Sequence, residues 1–225
     1  MIPWNKGLTK ATHPSVAKTS ATMRARKVDN FAAWRRDHVI AYPSFPRNGM
    51  LAEFIGVVLG DGHIQQFPRT ERLIIVGDAR KMDFINRYAA ITKVLFRKTP
   101  MIGKVAASNA VRISIYQKFI SERLGIPSGN RKNFPYRMPE WIRARRAYTI
   151  RFLRGLYEAE GYLCVHLPTC THNFGFSNFN QHLLGIVARA LRELEFHPEI
   201  RHNAIRVRRK SEVERLRKLL HFREY

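Results

Sequence analysis

LAEFIGVVLGD (Leu51–Asp61) and FLRGLYEAE (Phe152–Glu160) read as one helical element used twice, with the rest of the chain arranged around the pair. Set in register as FIGVVLGDG and LRGLYEAEG, they place Gly56 over Gly155, Gly60 over Ala159, Asp61 over Glu160 and Gly62 over Gly161, each pair 99 residues apart. In the first copy Leu51, Phe54, Ile55, Val58 and Leu59 recur at i, i+3, i+4, i+7 and i+8, the apolar stripe of a helix. Phe152, Leu153, Leu156 and Tyr157 keep that stripe in the second. The small pairs Gly56/Gly60 and Gly155/Ala159 lie four residues apart on one helical face, so the two helices can approach backbone to backbone. Each helix then ends in a carboxylate before glycine. A helix-stop glycine is ordinary, but a negative charge at the negative end of the helix dipole is unfavourable by a few tenths to about 1 kcal/mol. A rule broken twice at matching positions points to a functional site. If the helices pack in parallel, Asp61 and Glu160 meet at one end of the seam, where two acids repel unless divalent cations sit between them.

The 225 residues carry 40 Lys and Arg against 17 Asp and Glu, a net charge of +23 and a pI near 10.9, which calls for a polyanionic partner. A hydrophobic content of 45% excludes a disordered basic tail. The charge is spread evenly, about +7 over residues 1–48, +8 over 49–140 and +8 over 141–225, so a nucleic acid would be contacted along most of the length. Cys164 and Cys170 are too few for a disulfide framework. No apolar run reaches transmembrane length and no signal-peptide core is visible, so an intracellular protein is expected, in cytoplasm or nucleoid, with an organelle left open.

Residues 1–48 read as a basic arm and linker, with a helix expected from about Ser15 to Val39, Trp4 and Trp34 as its large anchors, and Tyr42–Asn48 as the linker. The first half (49–140) continues with strands at Gly62–Phe67 and Leu73–Gly77, and a helix over Asp78–Phe96 capped by Asp78 with Met82, Ile85, Tyr88, Ala89 and Leu95 inward. A hairpin of Pro100–Ala106 and Ala110–Tyr116, a short helix over Lys118–Leu124 and a turn-rich connection over 125–139 complete it. Trp141–Arg146 starts the helical run into the second motif. The second half (141–225) repeats this order: strands at Tyr162–Leu167 and Asn173–Phe179, a helix over Gln181–Phe196, a hairpin of Glu199–His202 and Ile205–Arg209, and a last helix over Ser211–His221. Asn109–Ser114 (NAVRIS) matches Asn203–Arg208 (NAIRVR). The fold class is therefore α+β, a duplication of an αββαββα unit whose halves share one seam. Helices covering one face of each sheet leave the other, with Gln65, Arg69, Arg72, Arg112, His166, Arg206 and Arg208, free for a partner.

FIGVVLGDG and LRGLYEAEG resemble the paired signature motifs of single-chain LAGLIDADG homing endonucleases, a resemblance covering about residues 50–222. The first copy departs from the nominal motif, with Leu59-Gly60 where Asp-Ala is frequent, yet each copy keeps the acid before the last glycine. The resemblance implies a saddle of two curved sheets gripping the DNA major groove. It also implies Mg²⁺ bound by Asp61 and Glu160 with the carbonyls of Gly60 and Ala159. The family keeps basic groups near the metals to position water, and in LGIPSGNRKN Arg131 and Lys132 are the nearest match, with Lys132 as the candidate catalytic residue and a phosphate-contacting linker as the alternative. No equivalent loop follows the second half, which ends at Tyr225. Phosphodiester hydrolysis needs an activated water and charge relief on the leaving oxygen, which metal clamps supply with few carboxylates.

The function so implied is site-specific double-strand DNA cleavage by an intron-encoded enzyme, acting as a monomer on a long, partly asymmetric site. The alternatives are an RNA maturase assisting intron splicing on the same basic scaffold, and a non-catalytic DNA-binding protein of the same fold. Intein splicing residues are absent from the ends of the chain, which favours a free-standing enzyme. Cys164, His166, Cys170 and His172 have the residue types of a zinc set without a standard spacing.

Overall fold

The computed structural model describes residues 3–27 and 41–225, which fall into two compact units, Met1–Tyr42 and Pro43–Tyr225. In the first, α1 (Pro14–Ala25) starts with proline in its first turn and buries none of its residues. The Thr19 and Thr22 hydroxyls bond back to the carbonyls of Ser15 and Lys18, and the Trp4 ring meets His13 edge-on at 6.1 Å. The helix expected to run to Val39 ends at Ala25; Trp34 and residues 28–40 lie outside the described residues.

The second unit is the expected duplication. Its first half runs α2 (Gly49–Gly60), β1 (Gly62–Gln66), β2 (Glu71–Asp78), α3 (Met82–Phe96), β3 (Met101–Lys104), β4 (Ala110–Gln117) and α4 (Ile120–Leu124). A short α5 (Glu140–Arg143) then leads to α6 (Arg146–Glu160), β5 (Gly161–His166), β6 (Thr171–Ser177), α7 (Gln181–Glu193), β7 (Glu199–Arg201), β8 (Ala204–Val207) and α8 (Lys210–Leu220). Two antiparallel four-stranded sheets result, ordered β1-β2-β4-β3 and β5-β6-β8-β7.

α2 and α6 are the central pair. Leu51 through Leu59 are all buried, so α2 is surrounded on every side rather than amphipathic. The close approach read from the small residues is present: a Cβ on Gly56 would run into the Phe152 carbonyl, one on Gly155 into the Glu53 carbonyl, and one on Gly60 would lie 2.5 Å from the Ala159 Cβ. Asn48 starts α2 by accepting the Leu51 N–H at 2.9 Å.

Strand alternation separates two faces in each sheet. Ile64, Leu73, Ile75, Val111, Ile113 and Ile115 are buried on the inner face of the first, and Phe174, Phe176, Ile205 and Val207 on that of the second. Gln65, Arg72 and Tyr116 share one ladder row on the outer face of the first sheet, and Arg112 lies in the row of Val76 and Gly103.

Four local expectations are corrected. Asp78 ends β2 and does not cap α3; its carboxylate is taken by the Arg80 N–H at 2.9 Å and the Arg80 guanidinium, leaving Lys81 at the helix start. Met82 is 44% exposed, on the outer side of the first helical turn. The run into the second motif breaks after Arg143, where Arg145 is extended and the Ile142 carbonyl accepts both the Arg145 N–H at 3.3 Å and the Thr149 hydroxyl at 3.2 Å. The segment read as a linker plugs Phe45 into the core, with its ring 4.9 Å from Phe96 and the Arg123 guanidinium stacked 3.8 Å over it.

Candidate metal centre and nucleic-acid interface

Both motif helices end on their acids at the same end of the seam. Asp61 is the residue that closes α2, its N–H still bonded to the Val57 carbonyl at 3.0 Å, and Glu160 is the last residue of α6. Gly60 is what lets the two ends close up, since a side chain there would lie 3.2 Å from the Glu160 Cγ. Burial, and after it the Glu160 charge, push the Asp61 carboxyl up to about 7, with the Lys81 ammonium opposing. Burial also raises Glu160. Among the described residues neither carboxylate has an ion pair or hydrogen bond. Two acids held together without a partner, beside the last carbonyls of two helices, form an all-oxygen donor set suited to a hard divalent cation. The chain's own residues therefore fit such an ion, with Asp61, Glu160 and the Gly60 and Ala159 carbonyls as donors.

The two basic residues of the connecting loop have different partners. Lys132 shares a cleft of ≈ 430 Å³ with Glu160, Asn178, Asn203 and Phe179, its ammonium 5.8 Å over the Phe179 ring. Arg131 lines the same cleft and donates to the Gly62 carbonyl, directly after Asp61. Burial lowers its guanidinium, and its Nη1 is buried without a partner among the described residues. The structure supplies a counterpart that sequence reasoning missed: Arg223, in the C-terminal tail, donates to the Gly161 carbonyl at 3.4 Å, directly after Glu160. Each post-motif glycine thus has a guanidinium, one from a connecting loop and one from the tail. Lys81, whose charge acts on Asp61, likewise has no signal in the sequence, since only the fold brings it there.

A second charged cluster crosses the seam away from this end. Glu53 of α2 is fully buried and takes Arg87 at 2.8 and 3.0 Å, Arg151 at 2.6 Å and the Tyr88 hydroxyl at 3.3 Å. Glu158 of α6, raised by burial, accepts the Arg223 N–H at 2.6 Å and the Tyr225 hydroxyl. Arg154 donates to the Glu224 carbonyl at 2.7 Å. The tail is therefore bonded to the back of α6 while Arg223 reaches its front.

Of the residues expected to face a partner, Gln65, Arg69, Arg112, His166 and Arg208 are exposed, and Arg72 and Arg206 are half-buried. Arg69 sits on the β1–β2 turn rather than on a strand, and Arg208 just past β8, where it pairs with Glu199 at 3.5 Å. Arg72 lies 5.4 Å from the Tyr116 ring centroid, and the His166 ring bonds Thr169 at 2.7 Å. Cys164 and His172 fall on opposite faces of the β5–β6 ladder, and among the described residues no group of three or more His, Cys, Asp or Glu gathers as a metal set. The zinc arrangement does not assemble.

Residues 147–223 match the family model of a LAGLIDADG-like domain. The chain is similar in structure to the homing endonuclease I-DmoI in complex with DNA and Mn, at 18% identity and a TM-score of 0.55 over 78% of this chain and 97% of that one. It is similar also to full-length DUF199/WhiA from Thermatoga maritima, at 13% identity and a TM-score of 0.55 over 80% of this chain and 58% of that one. Among curated proteins it matches the tRNA-splicing ligase RtcB of Methanopyrus kandleri, 26% identical over 140 residues and 56% of this chain, and the glutamine–fructose-6-phosphate aminotransferase of Methanocaldococcus jannaschii, 29% identical over 127 residues and 55% of it. It spans only 14% and 11% of the length of those two relatives. Paired acid-ended helices between two four-stranded sheets give the chain the fold of these homing-endonuclease structures, and its second half matches the LAGLIDADG-like model. Both acid-ended helices of that fold lie in this one chain, one in each half.

Proposed function

We propose that the chain is a site-specific double-strand DNA endonuclease working with a divalent cation, Mg²⁺ in the first instance, held by Asp61 and Glu160 with the Gly60 and Ala159 carbonyls. The observation that carries this is the pair of partnerless, mutually repelling carboxylates at one end of the seam. A bound cation would supply water activation and charge relief on the leaving oxygen. The chain's residues do the rest. The seam glycines hold the two acids together, Arg131 and Arg223 hold the post-motif carbonyls, and Lys132 presents an ammonium to the Glu160 cleft, where it can orient a water or a phosphate oxygen. Basic residues on the outer sheet faces and turns supply phosphate and base contacts. The two seam-sharing halves take the place of two subunits, so the unit that binds is a monomer. One acid per half suits one cut per strand.

The test is incubation of the full chain with Mg²⁺ and a plasmid library carrying a randomised insert, followed by sequencing of linearised ends. A recurrent cut site supports the proposal. An uncut library on which the protein still selects duplex sequences would leave a DNA-binding protein, and selection of RNA alone a maturase.

A further inference from the structure

The two sheets differ in one register. Counted from the hairpin ends, where Ala79 N–H meets the Asn109 carbonyl and Asn178 N–H meets the Asn203 carbonyl, Gly77 corresponds to Phe176 and Arg112 to Arg206. β1 stops short of that row, since Gly62 pairs with Ile75. β5 is advanced by two residues, Gly161 pairing with Phe176 and Tyr162 with Gly175. A slip of two keeps every side chain on its own face. Its effect is to carry Tyr162 into the row of Arg206, two residues from Glu160.

Gly175 lies between them in that row, and a Cβ there would come within 2.5–2.7 Å of the Tyr162 Oη and Cε1. The missing side chain leaves the tyrosine ring room to cross the strand, and the Tyr162 hydroxyl accepts the Arg206 Nε–H at 2.9 Å. The two terminal nitrogens of Arg206 have no hydrogen-bond partner among the described residues. Its counterpart Arg112 has Val76 and Gly103 beside it in its row, no hydroxyl on its Nε, and is exposed. A nearly symmetric scaffold therefore holds one guanidinium by its Nε and leaves the other loose.

A guanidinium pinned at Nε presents its terminal pair as a fixed fork. On a sheet face laid into the major groove, the base edge that accepts both prongs is guanine, through O6 and N7. We infer that Arg206 reads a guanine in the half-site covered by the second sheet, close to the cleavage centre. Tyr162 is its positioning residue, and Gly175 makes the room. The inference rests on the DNA-binding reading above.

The experiment is selection of bound sites from a randomised duplex library by the full chain, repeated with Arg206→Gln, Tyr162→Phe and Arg112→Gln after thermal melts confirm that each is folded. The wild type should require guanine at one position near the centre. Arg206→Gln should lose that preference by ~5- to 150-fold at that position alone, while Tyr162→Phe should weaken it several-fold and Arg112→Gln should leave it unchanged. A probe on the DNA side is the selected site carrying 7-deazaguanine there, which removes the N7 acceptor and should weaken wild-type binding but not binding by Arg206→Gln. An unchanged Arg206→Gln profile, or equal sensitivity of both proteins to the analogue, would overturn the inference. A wild type that selects no duplex sequence would instead overturn the reading beneath it.

Discussion

Gly155→Ala sets two opposed effects against each other in one helix. In an exposed helix interior, alanine is favoured over glycine by about 0.8–1.0 kcal/mol. At Gly155, however, the added methyl would run into the Glu53 carbonyl, 2.8 Å from Val57 N and 3.0 Å from the Glu53 carbonyl carbon. These atoms are backbone of a fully buried helix, so no rotamer change can relieve the clash, and the helices must separate. Overpacking typically costs 1–3 kcal/mol, and a rigid backbone neighbour places this case at or above the upper end. Steric cost wins over propensity by about 2 kcal/mol, which for a domain of this size lowers Tm by roughly 4–8 °C at ~2–4 °C per kcal/mol. Gly185→Ala is the matched control, because that position in α7 has nothing within 4 Å of an added Cβ and should gain a few degrees. The assay is thermal unfolding of both variants. In the cleavage reaction, a displacement of the carboxylate pair by about 1 Å should cost Gly155→Ala on the order of 10²-fold in rate. A Gly155→Ala protein as stable as Gly185→Ala would refute the seam geometry on which the site is built.

Three further outcomes are expected. Glu53→Ala, which leaves Arg87 and Arg151 facing an empty acid site, should destabilise by about 3–5 kcal/mol, read by urea unfolding; a loss below 1 kcal/mol would show that the guanidinium groups re-solvate freely. Because Asp61 titrates near 7 in the fold and near 3.8 unfolded, the stability it lends is full below about pH 4 and lost as pH rises through 7. The Tm of metal-free protein should thus fall between about pH 4 and 7 and level off above that, and Asp61→Asn should flatten the slope; Asp78, lowered to about 2, acts only in the acid range. Removing residues 1–41 should leave a folded, cutting second unit with weaker DNA affinity and a shallower dependence on salt, whereas loss of the unfolding transition would show that the arm completes the core.

The element order, the seam and the outer sheet faces were legible because each follows from local periodicity and a repeat visible in the residues. What escaped the sequence was set by partners distant along the chain. Glu53 sits among apolar neighbours, and its cations come from 34 residues away in Arg87 and from the opposite half in Arg151. Arg223 carries no motif or spacing of its own, and only the return of α8 against α6 brings it to the Gly161 carbonyl. Asp78 has the spacing of a helix cap, but Arg80 outcompetes the helix for its carboxylate. The two-residue register advance of β5 has no local signal except a glycine at 175, which alone reads as a weak strand position.

The central claim is that Asp61 and Glu160 form the reacting centre rather than a structural end to two helices. It is tested most directly by measuring double-strand cleavage and DNA affinity together for Asp61→Asn, Glu160→Gln and the double variant in Mg²⁺. Cleavage abolished or severely reduced, with DNA affinity kept or raised by removal of a repelling charge, is the result expected. Cutting retained by all three variants, or melting temperature and affinity falling together, would contradict the assignment.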